Sequence, residues 1–204
     1  MNAEFFGLLS GGLVVASIIP YSLRVYQGKI RPNLTSWSLW SLIGLALLLT
    51  YKSSGAEANV WPAVFGFFNP TLIAFLIVAK QRGRLKKPNK VEVVCLVIGL
   101  VSLGMWIAVY ESRELSQYAL YLAIVADACA AIPTIIFVWT QPDGDRPFAW
   151  SLFAIAYGLV IFAITEPTFA NYILPVYMSL GSLSIALPLV LYRLKRKTPL
   201  SEWI

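Results

Sequence analysis

A single offset runs through the chain and dictates its layout. Residues 17–39 read SIIPYSLRVYQGKIRPNLTSWSL: a proline inside an apolar run, a basic turn, then Trp-Ser-Leu opening the next apolar run. Residues 130–152 follow the same plan as AAIPTIIFVWTQPDGDRPFAWSL. Pro20 and Pro133 lie 113 positions apart, and so do Trp37 and Trp150, Pro62 and Pro175, Lys80 and Arg193, and Arg82 and Lys195. No insertion interrupts the offset, so the chain reads as a tandem duplication. Whatever the first copy builds, the second must build again.

What is copied is a set of membrane spans. Of the 204 residues, 58% are hydrophobic and 13% charged, against about half and about a quarter in soluble domains. Apolar runs of about 20 residues, long enough to cross a bilayer, recur along the chain. Seven spans are expected, at 5–27, 37–51, 59–79, 91–110, 118–139, 148–164 and 172–192, the second and sixth being short at their apolar limits. No cleavable signal peptide is expected, because Met1–Glu4 carries no basic stretch and the first apolar run belongs to the duplication. Histidine is absent and both cysteines, Cys95 and Cys129, sit inside apolar segments. That composition supports neither a disulfide framework nor a Cys/His metal site, and no cofactor is expected.

The net charge of +6 is explained by topology rather than by nucleic acid. Arg24, Lys29 and Arg31 follow the first span, and Lys80, Arg82, Arg84, Lys86, Lys87 and Lys90 follow the third. Arg146 follows the fifth, and Arg193, Lys195, Arg196 and Lys197 end the seventh, which leaves only Lys52 and Arg113 on the other side. Basic residues concentrate on the cytoplasmic side of membrane proteins. The expected topology is therefore N-terminus outside and C-terminus cytoplasmic, in a bacterial-type inner (plasma) membrane. The basic run 82–90 is an inner loop that attracts anionic lipid.

Divided this way, the chain has a first three-helix repeat at 1–84, an inner loop and linker helix at 85–116, a second three-helix repeat at 117–197 and a tail at 198–204. One linker crossing restores the orientation of the second set, which makes the two sets a parallel repeat.

This 3+1+3 plan, with an intramembrane proline in the first span of each set, resembles the PQ-loop superfamily of SWEET-like transporters. Ile19-Pro20-Tyr21 and Ile132-Pro133-Thr134 stand where that family carries Pro-Gln. Ser36-Trp37-Ser38-Leu39 and Ala149-Trp150-Ser151-Leu152 match its serine/aromatic start of the second span, and Pro62, Asn69 and Lys80 match the third span's proline, asparagine and terminal lysine. Three features depart from the family pattern. The glutamine is replaced by Tyr21 and Thr134, the counterpart of Asn69 is Ser182, and the second-span tryptophan of the sugar carriers falls on Leu47 or Leu48. The resemblance covers nearly the whole chain. It implies an all-α, seven-helix transporter that moves a small polar solute (sugar, nucleoside or vitamin, or amino-acid-like) by alternating access. The alternative it leaves open is a seven-helix receptor or accessory membrane subunit. A monomer holds both sets and is sufficient, and oligomers remain open. With no histidine, metal cluster or nucleophile–base pair, and no lysine in the seventh span for a Schiff base, neither an enzyme nor a retinal protein is expected.

Asp127 is the sharpest single signal. It lies mid-span, about 9 Å outward of Pro133 on a regular helix, and a carboxylate there must be neutralised, paired or wetted. It is read either as a proton-coupling or solute-binding group or as a clamp on a neighbouring helix. Asn69, which precedes Pro70, offers an amide to a solute or glues helices together, and Ser182 is its weaker counterpart. Trp40, Phe153 and Tyr157 are candidates for stacking on a ring-shaped solute. Pro20 and Pro133 are hinges or static kinks. Asp143 and Asp145, in a Pro-Asp-Gly-Asp turn, are either a solvated hairpin or a latch onto the basic inner loop.

Overall fold

The computed structural model describes residues 2–28, 32–81, 85 and 87–204, and every described element is helical. Seven α-helices follow one another: α1 (Ala3–Tyr26), α2 (Leu34–Ser53), α3 (Trp61–Gln81), α4 (Lys90–Val109), α5 (Arg113–Thr140), α6 (Pro147–Leu159) and α7 (Phe169–Arg196). Short 3₁₀ turns precede α3 (Ala58–Val60), extend α6 (Val160–Ala163) and follow α7 (Leu200–Glu202).

Polar residues just outside the apolar runs set the helix starts. Asn33 accepts a hydrogen bond from the Thr35 amide at 3.1 Å, Asn89 and Glu92 form a reciprocal capping box, and Ser112 caps α5 through the Leu115 amide at 3.3 Å. Each cap satisfies an orphan amide that would otherwise face lipid headgroups bare. Consequently α2 begins at Leu34 rather than Trp37 and reaches 20 residues, while α5 begins at Arg113 rather than Tyr118. The helices run unbroken through Pro20 and Pro133.

Among the described residues, six helices are long and apolar enough to cross a membrane; the expected sixth span is the exception. It consists of 13 α-helical residues and four in the tighter 3₁₀ form. The greater rise of that turn brings the segment to about 28 Å, close to the roughly 30 Å hydrocarbon thickness.

The helices pack as a ring with one helix outside it. α3 lies against both α1 and α2, and α7 lies against both α5 and α6. The third helix is thus the central member of each set. Between the sets α1 meets α6 and α2 meets α5, so first and second helices exchange partners reciprocally, while α4 sits outside against α5 and α2. The larger core joins Ile43, Leu47 and Tyr51 of α2 to Leu120, Ala123 and Ala126 of α5 and Leu174 of α7; a second joins Val14 of α1 to Ala156, Tyr157 and Val160.

In lipid the helices gain little from apolar burial itself, so close approach and packing hold such seams together. At Gly7 of α1 an added Cβ would fall on the Ala58 carbonyl oxygen, whereas at Gly12, on the same helix, it would meet nothing within 4 Å. Gly7→Ala should therefore overpack the α1/α3 seam and cost about 1–3 kcal/mol. Gly12→Ala should be neutral or gain up to about 1 kcal/mol from helix propensity. Unfolding midpoints of the two variants in detergent check this, and equal midpoints would contradict the packing described.

Candidate functional site

An acceptor position on the first helix, shared through the 113-residue offset, is tied to the third helix in each set by a different donor. In the first set the Asn69 side-chain amide of α3 donates to the Val14 carbonyl of α1 at 2.9 Å. In the second, the Tyr177 hydroxyl of α7 donates to Asp127 Oδ2 of α5 at 2.7 Å. Asp127 stands 113 residues after Val14, so the acceptor is a main-chain carbonyl in one set and a carboxylate in the other. Asp127 is 7% exposed and Asn69 5% exposed, and at such depth each polar group needs the partner it has found.

Tyr157 joins the two sets. Its hydroxyl, on α6, donates to the Pro62 carbonyl of α3 at 3.1 Å. A Cβ at Gly66 would come within 2.9 Å of that hydroxyl, so the close crossing depends on glycine there. Phe153, one turn earlier on α6, lies against the Tyr157 ring at 5.8 Å between centroids and an interplanar angle of 36°. Trp40 is half-buried on α2 and Ser182 is buried on α7. The neighbouring serines of α7 bond to main chain, Ser179 to Ala154 at 2.9 Å and Ser184 to Gly181 at 2.7 Å.

The structure therefore brings Phe153 and Tyr157 together. Asn69, Asp127 and Ser182 share no hydrogen bond with one another among the described residues. Asn69 borders an open apolar groove of about 690 Å³ between α1 and α3, whose Ile19, Phe68 and Phe75 are exposed on the outer face. A second groove, about 330 Å³ between α4 and α5, includes the exposed Pro133. Asp127 lines neither groove.

Tyr177 escaped the sequence reading, because it looks like one more aromatic on an apolar helix and its counterpart, Val64, is apolar. A tyrosine in mid-span nevertheless carries a hydroxyl that must find a partner when buried, and Asp127 was the group in need of one.

Separate polar contacts close the two ends of the bundle. At the end bearing Lys52 and Arg113, Arg113 pairs with Glu166 and its Nε donates to the Ser54 carbonyl at 3.2 Å. Gly55 adopts φ +101°, and a Cβ there would strike the Arg113 guanidinium. Beneath this pair, the Tyr51 hydroxyl accepts from Asn59 Nδ2 at 2.6 Å and donates to the Asn171 carbonyl at 2.8 Å. Thr165 donates to Glu57 at 3.2 Å, so the α2–α3 connection is fastened to the α6–α7 connection.

At the opposite end the 142–145 hairpin is fastened to α7. The buried Arg193 donates to the carbonyls of Pro142 and Asp145 at 2.6 and 2.7 Å. Asp145 accepts from the Trp150 indole at 3.0 Å and from the Arg146 amide at 2.7 Å, and Asp143 is exposed. Arg82, Arg84 and Lys86 of the basic run lie outside the described residues. No group of three potential metal ligands occurs among the described residues.

The chain matches no family model, no curated protein and no solved structure.

Two measurements follow from this geometry. Tyr177→Phe should cost about 1 kcal/mol by removing one donor. Asp127→Leu should cost more, about 1–3 kcal/mol, because it leaves the Tyr177 hydroxyl buried and unpaired; thermal unfolding with Asp127→Asn as the mild reference checks the order. The second concerns pH. The hydrogen bond and charge of Arg113 hold the Glu166 carboxyl below its ordinary value of 4.5. A depressed carboxyl contributes stability that is complete above the ordinary value and lost as pH falls through the lower folded one. The clasp should loosen in acid, and Glu166→Gln should abolish that part of the acid dependence of the unfolding midpoint.

Proposed function

We propose that the chain is a SWEET-like carrier of the PQ-loop kind, which moves a small polar solute across a membrane by alternating access between its two three-helix sets. The observation that carries this reading is the packing rule common to both sets, with the third helix central and the α1–α6 and α2–α5 seams exchanged reciprocally. Such an arrangement lets one set rock against the other about its middle. Each end is held by a few hydrogen bonds, worth about 1 kcal/mol apiece, so states open at either end differ by only a few kcal/mol and one solute shifts the balance.

In this reading Asp127 carries the coupling proton, with Tyr177 as the donor that steadies the carboxylate when it is charged. Tyr157 and Phe153, at the α6–α3 crossing, supply flat surface for the solute. Pro20 and Pro133 serve as hinges, each removing one main-chain bond, to residues 16 and 129 respectively. The basic end faces the cytoplasm by the positive-inside rule, the N-terminus lies outside, and a monomer is sufficient. No chemical conversion of the solute is part of the proposal.

Uptake into proteoliposomes tests it, using a mixed panel of sugars, nucleosides, vitamins and amino acids, with and without an inward proton gradient. Saturable uptake of one class is expected, with Asp127→Asn losing gradient-driven accumulation but retaining solute exchange. Full accumulation by the Asn variant would remove Asp127 from coupling. Folded protein that moves nothing on the panel would overturn the carrier reading in favour of a receptor or accessory subunit.

A further inference from the structure

The segment that follows α7 is seated on the bundle. Beyond Lys197, which adopts a left-handed φ of 50°, the 3₁₀ turn Leu200–Glu202 lays the chain back across the basic end. Its backbone oxygens are taken one after another. Arg193 Nε donates to the Glu202 carbonyl at 3.0 Å, and the Phe148 amide donates to the Trp203 carbonyl at 3.1 Å. Arg146 Nη1 donates to Ser201 and to the backbone oxygen of Ile204. Arg24 Nη2, from α1, reaches that same Ile204 oxygen at 2.7 Å. A few residues of tail thereby connect α1 of the first set to α6 and α7 of the second.

Three features mark the place as suited to an oxyanion. Guanidinium groups from two different helices converge on one oxygen, and neither Arg24 nor Arg146 has a carboxylate side chain within ion-pair distance among the described residues. Burial, with the charges of Arg24 and Arg193 beside it, pushes the Arg146 guanidinium down from its ordinary value against the opposing pull of Glu202 and Asp145; an anion lying between such like charges relieves their repulsion. Finally, α6 starts at Arg146 with no side-chain cap, so its first amides depend on whatever oxygen is nearby, and the positive end of the helix favours a negative one. The Asp145 carboxylate of the same hairpin is already engaged by Trp150 and the Arg146 amide.

We propose that Arg24, Arg146 and the start of α6, backed by Arg193, form a binding site for a phosphate group, and that residues 200–204 are its internal occupant, displaced when a phosphate arrives. Phosphate offers several charged acceptors that the guanidinium fork can grip bidentately, whereas each contact to the tail uses a single main-chain oxygen. The site sits at the last turn of α1 and the first of α6, the depth at which lipid headgroups meet water. The phosphate therefore comes either from a phospholipid headgroup or from solution. Displacement unties α1 from α6 and α7 at that end. The inference goes beyond transport and does not require it.

The test places a spin label at Leu200→Cys, a position 77% exposed, with Cys95 and Cys129 replaced by alanine, in phosphate-free dodecyl maltoside micelles. The label should be immobile in chloride and should lose its immobile component on adding inorganic phosphate, or phosphatidic acid to the micelles. Release by inorganic phosphate identifies a soluble ligand, and release by phosphatidic acid alone identifies a headgroup. Arg24→Gln and Arg146→Gln should each free the tail without any phosphate and remove the response. Should the alanine background fail to fold, tryptic cleavage after Lys197 in the native chain gives the same readout. A tail that stays immobile in both phosphate arms would overturn the proposal. So would release by chloride at equal ionic strength, or an Arg24→Gln chain that responds as the native one does.

Discussion

Inside a bilayer no water is available to a stray donor or acceptor, and this requirement shapes the contact on which the bundle depends, the bond between the first and third helix of each set. Asn69 and Val14 meet it in one set, Tyr177 and Asp127 in the other. Because the third helix also packs against the second, holding the first to the third holds the whole set. The acceptor positions, Val14 and Asp127, correspond through the offset while the donors, Asn69 and Tyr177, do not, and the chemistry changes from an amide on a carbonyl to a phenol on a carboxylate. Only the second version contains a group able to take up and release a proton, so the two sets are alike in packing and unlike in what they can do.

The ends of the bundle obey a different rule. There water and headgroups compete for the exposed polar groups, and a single exposed pair such as Arg113–Glu166 contributes little. Closure at each end is instead spread over several modest contacts. Tyr51, Asn59 and Asn171 serve one end, while Arg193 with the 142–145 hairpin and the tail serve the other. The bundle's middle is thus held by one bond per set between first and third helices, and each end by several smaller contacts that can part separately.

Much of the fold was legible in the sequence. The apolar runs located all seven helices, and the cap residues Asn33, Asn89 and Ser112 explain why α2, α4 and α5 start where they do. The length of α6 was less legible, because nothing in its composition announces that its last turn tightens to 3₁₀. The site was read only in part. Burial of Asp127 follows from the cost of a carboxylate in lipid, but its partner, Tyr177, lies 50 residues away and is fixed by how α5 and α7 pack. One N–H of the Asn69 amide goes to the Val14 carbonyl, a contact that only the packing of α1 on α3 could reveal. Asp145 bonds to Trp150 and to the Arg146 amide, and Arg193 of α7 donates to its carbonyl, while Arg82, Arg84 and Lys86, the partners in the latch reading, lie outside the described residues.

The measurement that tests the account most directly is a pair of distance distributions from spin labels spanning the two sets at each end. Lys52 and Tyr172 serve one end and Gln27 and Gln141 the other, all four exposed. The account predicts two populations at each end, with conditions that lengthen the first pair shortening the second. A single distance at both ends, unchanged by solute or pH, would contradict it.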